Sequence, residues 1–233
     1  MKTYILEGYT EYTSKHYRCY CKPNSFAAGQ IQKIMQIQED SYARIVRLLG
    51  VEPLFPIRYV LCETSEEVGR ISGDNEPCNG FADLPDTVFA VYSDRVQCIG
   101  PHEDTHLIAS LIARPDSVFV REGLAMYMDE TWWGKANTEW VQEFLCTAKY
   151  PCLEKMFDNE EFWKIPDEIT YPLAGAFTKW LIEQLGIQEY LKTVYVTGDQ
   201  ACRAIEKAFG MPLAQVDRLF RSWILEQEKT KNG

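Results

Sequence analysis

His102-Glu103-Asp104-Thr105-His106 is the stretch on which the reading of this chain turns. On a helix, residues four apart share a face, so His102 and His106 can offer two imidazole nitrogens to one metal ion. Glu103 lies at the edge of that face, within reach of a water beside the ion. Two imidazoles do not complete a site, because a catalytic zinc takes three protein ligands and keeps a fourth position open. The chain has three histidines, and the remaining one, His16, lies far upstream. No histidine follows His106, so a carboxylate on a following helix is the expected third ligand. Glu122 fits, in Val118-Phe119-Val120-Arg121-Glu122-Gly123-Leu124-Ala125-Met126-Tyr127. Gly123 removes a side chain beside it and is expected to let this helix approach the histidine helix closely.

The competing reading is a solvated helix face with two exposed histidines. It does not explain why two of the three histidines fall at this spacing. Nor does it explain the apolar run that follows, Leu107-Ile108-Ala109-Ser110-Leu111-Ile112-Ala113, which is expected to bury one side of the helix.

His102-Glu103-x-x-His106 followed by Glu122-Gly123-x-Ala125-x-Tyr127 resembles the gluzincins, specifically the peptidase-MA-like group of small zinc metallopeptidases. Tyr171-Pro172-Leu173-Ala174-Gly175-Ala176-Phe177-Thr178-Lys179-Trp180-Leu181 is similar to that group's Tyr-x-x-Ala-x-x-Phe helix. Phe209-Gly210-Met211-Pro212-Leu213, running to Trp223, is similar to its C-terminal helix. The likeness spans about residues 55–226. The interval from His106 to Glu122 is shorter than in the aminopeptidase branch, and that branch's Gly-x-Met-Glu-Asn segment is absent.

The resemblance implies a zincin-like catalytic domain holding Zn2+ through His102, His106 and Glu122. The implied activity is hydrolysis of a peptide or protein substrate, with Glu103 as general base. Related gluzincins stabilise the oxyanion with a Tyr or His placed after the third ligand. With no histidine available, Tyr171 is the first choice here, and Tyr150 and Tyr127 are alternatives. Asp129, two turns after Glu122, could orient a ligand histidine. The alternative function is a catalytically silent zinc-binding or peptide-binding regulatory protein on the same fold. Glu103 argues against the silent zinc-binding form, since a structural zinc has no use for a general base, and stoichiometric zinc would discard the metal-free peptide-binding form.

Composition sets the outer bounds. At 233 residues and 46% hydrophobic, one domain over residues 1–233 is expected, with a sheet-rich lobe over 1–95 and a helical lobe over 96–233. The net charge of −10 and the lack of a basic run exclude nucleic acid and anionic membranes as expected partners. No apolar stretch reaches membrane-spanning length, and Met1-Lys2-Thr3-Tyr4-Ile5-Leu6-Glu7-Gly8 lacks the apolar core of a signal peptide. A cytoplasmic setting is therefore expected. The eight cysteines then read as reduced, mostly buried thiols. Cys19 and Cys21 should share one strand face, and a second metal site with His16 is the weaker reading of them.

Along the chain, Tyr4-Ile5-Leu6 and His16–Cys21 read as strands. Pro23-Asn24-Ser25 breaks into a long amphipathic helix ending at Gly50, and Pro56–Cys62 reads as a central strand. Thr64-Ser65-Glu66-Glu67 opens a short helix with a capping box. After a loop over residues 72–79, Gly80-Phe81-Ala82 and Thr87–Tyr92 read as strands; the gluzincin resemblance implies that the second is the sheet edge that pairs with an extended substrate, and an ordinary hairpin is the alternative. Ser93-Asp94 is a possible cap for the histidine helix, but Pro101 favours a start there. Asp116 or Ser117 should cap the Glu122 helix. Helices are expected over 137–149, 152–163, 172–185, 187–196, 199–209 and 212–228, punctuated by Gly186, Gly198 and Gly210, with most tryptophans in the core or at helix-packing contacts. The fold class is α+β: an N-terminal mixed or antiparallel sheet with a covering helix, then a helical half.

Overall fold

The computed structural model describes residues 3–73, 75–197 and 200–231, the last four by backbone alone. Met1, Lys2, Asp74 and the expected helix break at Gly198 lie outside these residues. The chain divides into two compact units, Met1–Ile112 and Ala113–Gly233.

The first unit carries a five-stranded mixed sheet in the order β1-β2-β3-β5-β4. Its strands are β1 (Thr10–Thr13), β2 (Tyr17–Cys21), β3 (Ile57–Cys62), β4 (Gly80–Asp83) and β5 (Thr87–Val91). β2, β3 and β5 run parallel, and β1 and β4 pair antiparallel at the two edges. Every residue of β5 is buried, as a strand covered on both faces requires. Paired with both β3 and β4, β5 is interior, and the edge on that side is β4, a correction to the expected edge strand. Tyr4-Ile5-Leu6 forms no strand; Tyr4 instead packs its ring edge-on against Phe89 and hydrogen-bonds to Asp83.

Two layers cover the sheet. On one face, Val60, Cys62, Phe89 and Val91 pack with Val68 of α3 (Ser65–Ser72). Thr64 caps α3 by accepting the Glu67 amide at 3.2 Å, but the Glu67 carboxylate bonds the Glu63 amide at 2.9 Å rather than that of Thr64. The reciprocal half of the capping box is thus displaced by one residue. On the other face lie α2 (Ile31–Leu49) and α4 (Pro101–Ala109), which pack on each other. A one-turn helix α1 (Phe26–Gly29), capped by Ser25, leads into α2. Ile31, Ile34, Met35, Tyr42, Ile45 and Leu49 form the buried stripe of α2, and Gly50 ends it in the left-handed region.

Cys19 and Cys21 are buried on one face of β2, as expected of alternate strand residues. The His16 ring meets Glu39 at 2.6 Å and stacks on Tyr42 at 4.0 Å. The wider expectation of mostly buried thiols fails: only Cys19, Cys21 and Cys62 are fully buried, while Cys146 and Cys152 are exposed.

The second unit is helical around α5 (Val118–Asp129) and α8 (Asp167–Leu185), which pack side by side. A small hairpin, β6 (Thr131–Trp132) and β7 (Lys135–Ala136), leads into α6 (Asn137–Cys146). The expected helix over 152–163 is a 3-10 turn, Leu153–Phe157, followed by α7 (Asn159–Lys164) with Asp158 as its cap. α8 begins before Pro172, because the Ile169 and Thr170 amides already bond the Pro166 carbonyl and the first turn closes ahead of the ring. The segment expected over 187–196 is α9 (Ile187–Tyr190) running into a π-turn, Leu191–Tyr195. α10 (Ala201–Phe209) and α11 (Leu213–Lys231) complete the unit.

Phe119, Phe157, Phe177 and Phe220 form its aromatic core. Trp180 joins them and is buried. Trp133, in the turn between β6 and β7, and Trp163, on α7, are the two exposed tryptophans among the described residues. No helix among the described residues is long and apolar enough to cross a membrane.

Candidate metal centre

α4 starts at Pro101, whose missing amide hydrogen costs nothing at the first helical position. Gly100 precedes it at φ 125°, a conformation open to glycine and closed to most side chains. Ser93 and Asp94 do not cap α4; the Ser93 hydroxyl accepts the Arg95 and Val96 amides and closes a local turn. The helix ends at Ala109, so the expected apolar run is cut short and Leu111 is exposed.

On this helix His102 and His106 stand one turn apart, ring centroids 5.0 Å apart and nearly edge to face. Both are half-buried. Glu103 lies against β4: a Cβ built on Gly80 would stand 2.7 Å from its Oε1. The bare backbone of Gly80 is therefore what leaves room for the Glu103 carboxylate, a requirement the linear sequence did not announce.

The opposite flank of α4 is buried, and at its centre is Asp104. Its carboxylate accepts hydrogen bonds from the Tyr17 hydroxyl and, at 2.9 Å, from Gln38 Nε2. Burial pushes the Asp104 carboxyl up to about 8; the Tyr17 and Gln38 bonds pull the other way, and the neighbouring Glu103 charge adds to the rise. Tyr59 lies behind them, fully buried, its hydroxyl raised first by burial and then by the Asp104 and Glu103 charges.

Gln38 is the residue that sequence reasoning passed over. It occupies the apolar stripe of α2, in register with Ile31, Ile34, Ile45 and Leu49, and is wholly buried. A polar residue at such a position was the available signal, since buried amides require partners.

In the second unit, Glu122 lies in the second turn of α5, partly buried. Ser117 stands at the cap position, yet the first amide, that of Val118, donates to Asn159 Oδ1 at 2.8 Å. A residue from α7 thus does the capping expected of Asp116 or Ser117. Gly123 has its tight contacts within the second unit. The atoms a Cβ there would meet are Thr178 Oγ1 and the Ala174 carbonyl of α8, so its small size serves the α5–α8 contact. The Tyr195 hydroxyl of the π-turn is raised mainly by burial, with the Glu122 charge adding to it and Arg121 opposing.

Tyr171 lies inside α8 rather than at its start, its ring stacked on Trp132 at 5.1 Å. Tyr127 is half-buried on α5 and Asp129 is the last residue of that helix. Tyr150 is committed elsewhere: its hydroxyl donates to Asp217 at 2.6 Å and its ring lies under the Arg221 guanidinium. That removes it as an oxyanion donor.

No protein-family model matches this sequence, and no curated protein matches it.

Proposed function

We propose that the chain is a zinc-dependent metallopeptidase of the zincin type, hydrolysing peptide bonds with Glu103 as general base. The observation that carries this reading is the geometry of α4, with two imidazoles one turn apart and the Glu103 carboxylate lying against Gly80. Among the described residues, His102, His106 and Glu122 form a group able to offer one donor atom each to a metal ion. Two imidazoles and one carboxylate are the donor set that suits zinc with a position left open. When bound, the ion supplies Lewis acidity and lowers the pKa of water toward about 7.

The protein's own groups do the rest. Glu103 receives the proton of the attacking water at the carboxylate that Gly80 leaves space for, and returns it to the leaving amine. Tyr171, its ring fixed by Trp132, donates its hydroxyl proton to the oxyanion in a hydrogen bond. β4 is an edge strand beside Glu103 with no further strand paired to it among the described residues, and an extended peptide can add to it through main-chain hydrogen bonds.

The test is zinc content by plasma emission spectroscopy together with peptide-library cleavage. Wild type should hold one zinc and cleave. Glu103→Gln should hold zinc and not cleave, while Glu122→Ala should lose zinc. Zinc without cleavage in wild type would leave the silent regulatory reading. Full occupancy in Glu122→Ala would remove Glu122 from the ligand set.

A further inference from the structure

Gln38 and α4 meet through a set of bonds that helix packing alone does not require. Gln38 Oε1 accepts the Gly100 amide at 2.7 Å, and Gln38 Nε2 donates to the Gly100 carbonyl at 3.1 Å. The same Nε2 donates to Asp104 Oδ2 at 2.9 Å. Tyr17 closes the set, its one hydroxyl proton shared between the Gln38 carbonyl at 3.1 Å and Asp104. One carboxamide therefore grips the residue before α4 on both its backbone groups and also grips the fourth residue of the helix. His102 and Glu103 lie between the two gripped points.

The first turn of a helix is its least constrained part, because its amides lack intrahelical partners. Here Gly100 has no side chain with which to cap, and its conformation is one that a free glycine would readily leave. Something outside the helix must hold that turn. Gln38 is wholly buried on α2, whose own position is set by its apolar stripe. It is thus a fixed point from which to hold it.

We propose that Gln38 is a positioning residue for the metal centre, setting the orientation of His102 and Glu103 by clamping Gly100 and Asp104. This rests on the reading of α4 as the metal-bearing helix. It goes beyond that reading by placing a determinant of metal affinity on α2, more than sixty residues upstream of the ligands it serves.

The experiment compares Gln38→Met, which keeps the volume and removes every side-chain bond, with Ile45→Ala, a buried α2 substitution two turns on that makes no contact of this kind. Zinc affinity is measured by chelator competition, and the ligand field by the visible spectrum of the cobalt(II) protein. Loss of a group that orients ligands typically lowers metal affinity 10–100-fold. Gln38→Met should show a loss of that order and an altered cobalt spectrum, whereas Ile45→Ala should stay within about twofold of wild type at whatever stability it has. Gln38→Ala, whose vacated polar space water can enter, replaces Gln38→Met if the latter does not fold, and should show the same loss in weaker form.

Zinc affinity and cobalt spectrum in the Gln38 variant no different from those of Ile45→Ala would overturn the proposal. If wild type binds no metal, the peptidase reading falls, and the clamp is decided on metal-free protein by the imidazole nitrogen resonances of its three histidines. His102 and His106 resonances displaced in Gln38→Met, with His16 unmoved, would sustain it. Unchanged resonances would end it.

Discussion

Replacing Gly123 by alanine tests the packing that carries Glu122. A Cβ at this position lies 2.3 Å from Thr178 Oγ1 and 3.1 Å from the Ala174 carbonyl oxygen. Such carbons do not approach heavy atoms closer than 3.0 Å, so the first contact must open by about 0.7 Å, the difference between 3.0 and 2.3 Å. Thr178 is buried and β-branched, with few helical rotamers to turn to, and the Ala174 oxygen belongs to the backbone. The two helices must therefore part. Overfilling a packed interior costs about 1–3 kcal/mol, and a clash this close belongs in the upper half of that range. Alanine recovers about 1 kcal/mol through its higher helix propensity. The net loss should be about 1–2 kcal/mol, which lowers Tm by roughly 2–8 °C for a chain of this length. Scanning calorimetry of Gly123→Ala, Thr178→Ala and the double variant gives the coupling directly. Removing Oγ1 should return part of the loss, with a coupling energy on the order of 1 kcal/mol. Because Glu122 is the preceding residue, zinc affinity should fall in the single variant and recover with stability in the double. A Gly123→Ala protein as stable as wild type, or a coupling near zero, would refute the close α5–α8 approach on which this reasoning stands.

Tyr171→Phe should leave Tm and zinc content close to wild type, because the ring and its stacking on Trp132 remain, while kcat falls roughly 10²–10³-fold for loss of an oxyanion donor; an unchanged kcat, measured on any cleaved peptide, would assign the role elsewhere. Glu67 carries an acid-side prediction. Burial alone would raise its carboxyl, but hydrogen bonds from the Glu63 amide, Lys22 and Tyr9 outweigh burial and hold it below the usual 4.5. A depressed carboxyl contributes stability above its unfolded pKa and loses it as pH falls through the folded one. Urea unfolding should therefore show Glu67→Gln less stable than wild type at pH 7, with the gap closing below pH 4.5. A gap that stays constant down to pH 3 would show that the carboxylate charge is not what matters.

What could be read in advance was whatever depends on neighbours in sequence. The i, i+4 histidines, the start of α4 at Pro101, the stripe of α2 and the central apolar strand β3 are local periodicities, and they stand where the residues put them. What escaped depends on partners far along the chain. Asn159 caps a helix that begins at Val118, and nothing near Ser117 reveals it. Gly123 looked like a device for the histidine helix because its true partner, Thr178, lies in another element. Strands β4 and β5 are both short and apolar, and which is the edge follows from β3 pairing with β5, a non-local choice. Gln38 is the sharpest case, a polar residue in an apolar stripe whose meaning exists only beside Gly100.

That last contact also bears on the order in which the protein is made. The HEDTH segment can wind into a helix within microseconds of synthesis, since its bonds are local. The bonds that hold its first turn join residues 62 positions apart and require that loop of chain to close. They also require β2 and β3, parallel neighbours on either side of α2, to have paired. Parallel pairing is among the slower events of folding because the chain entropy is lost before the contacts form. A nascent or partly unfolded chain therefore carries the HEDTH motif in sequence without the oriented first turn. Under the function proposed for α4, ion capture would then be a late step, reserved for molecules whose sheet is already complete.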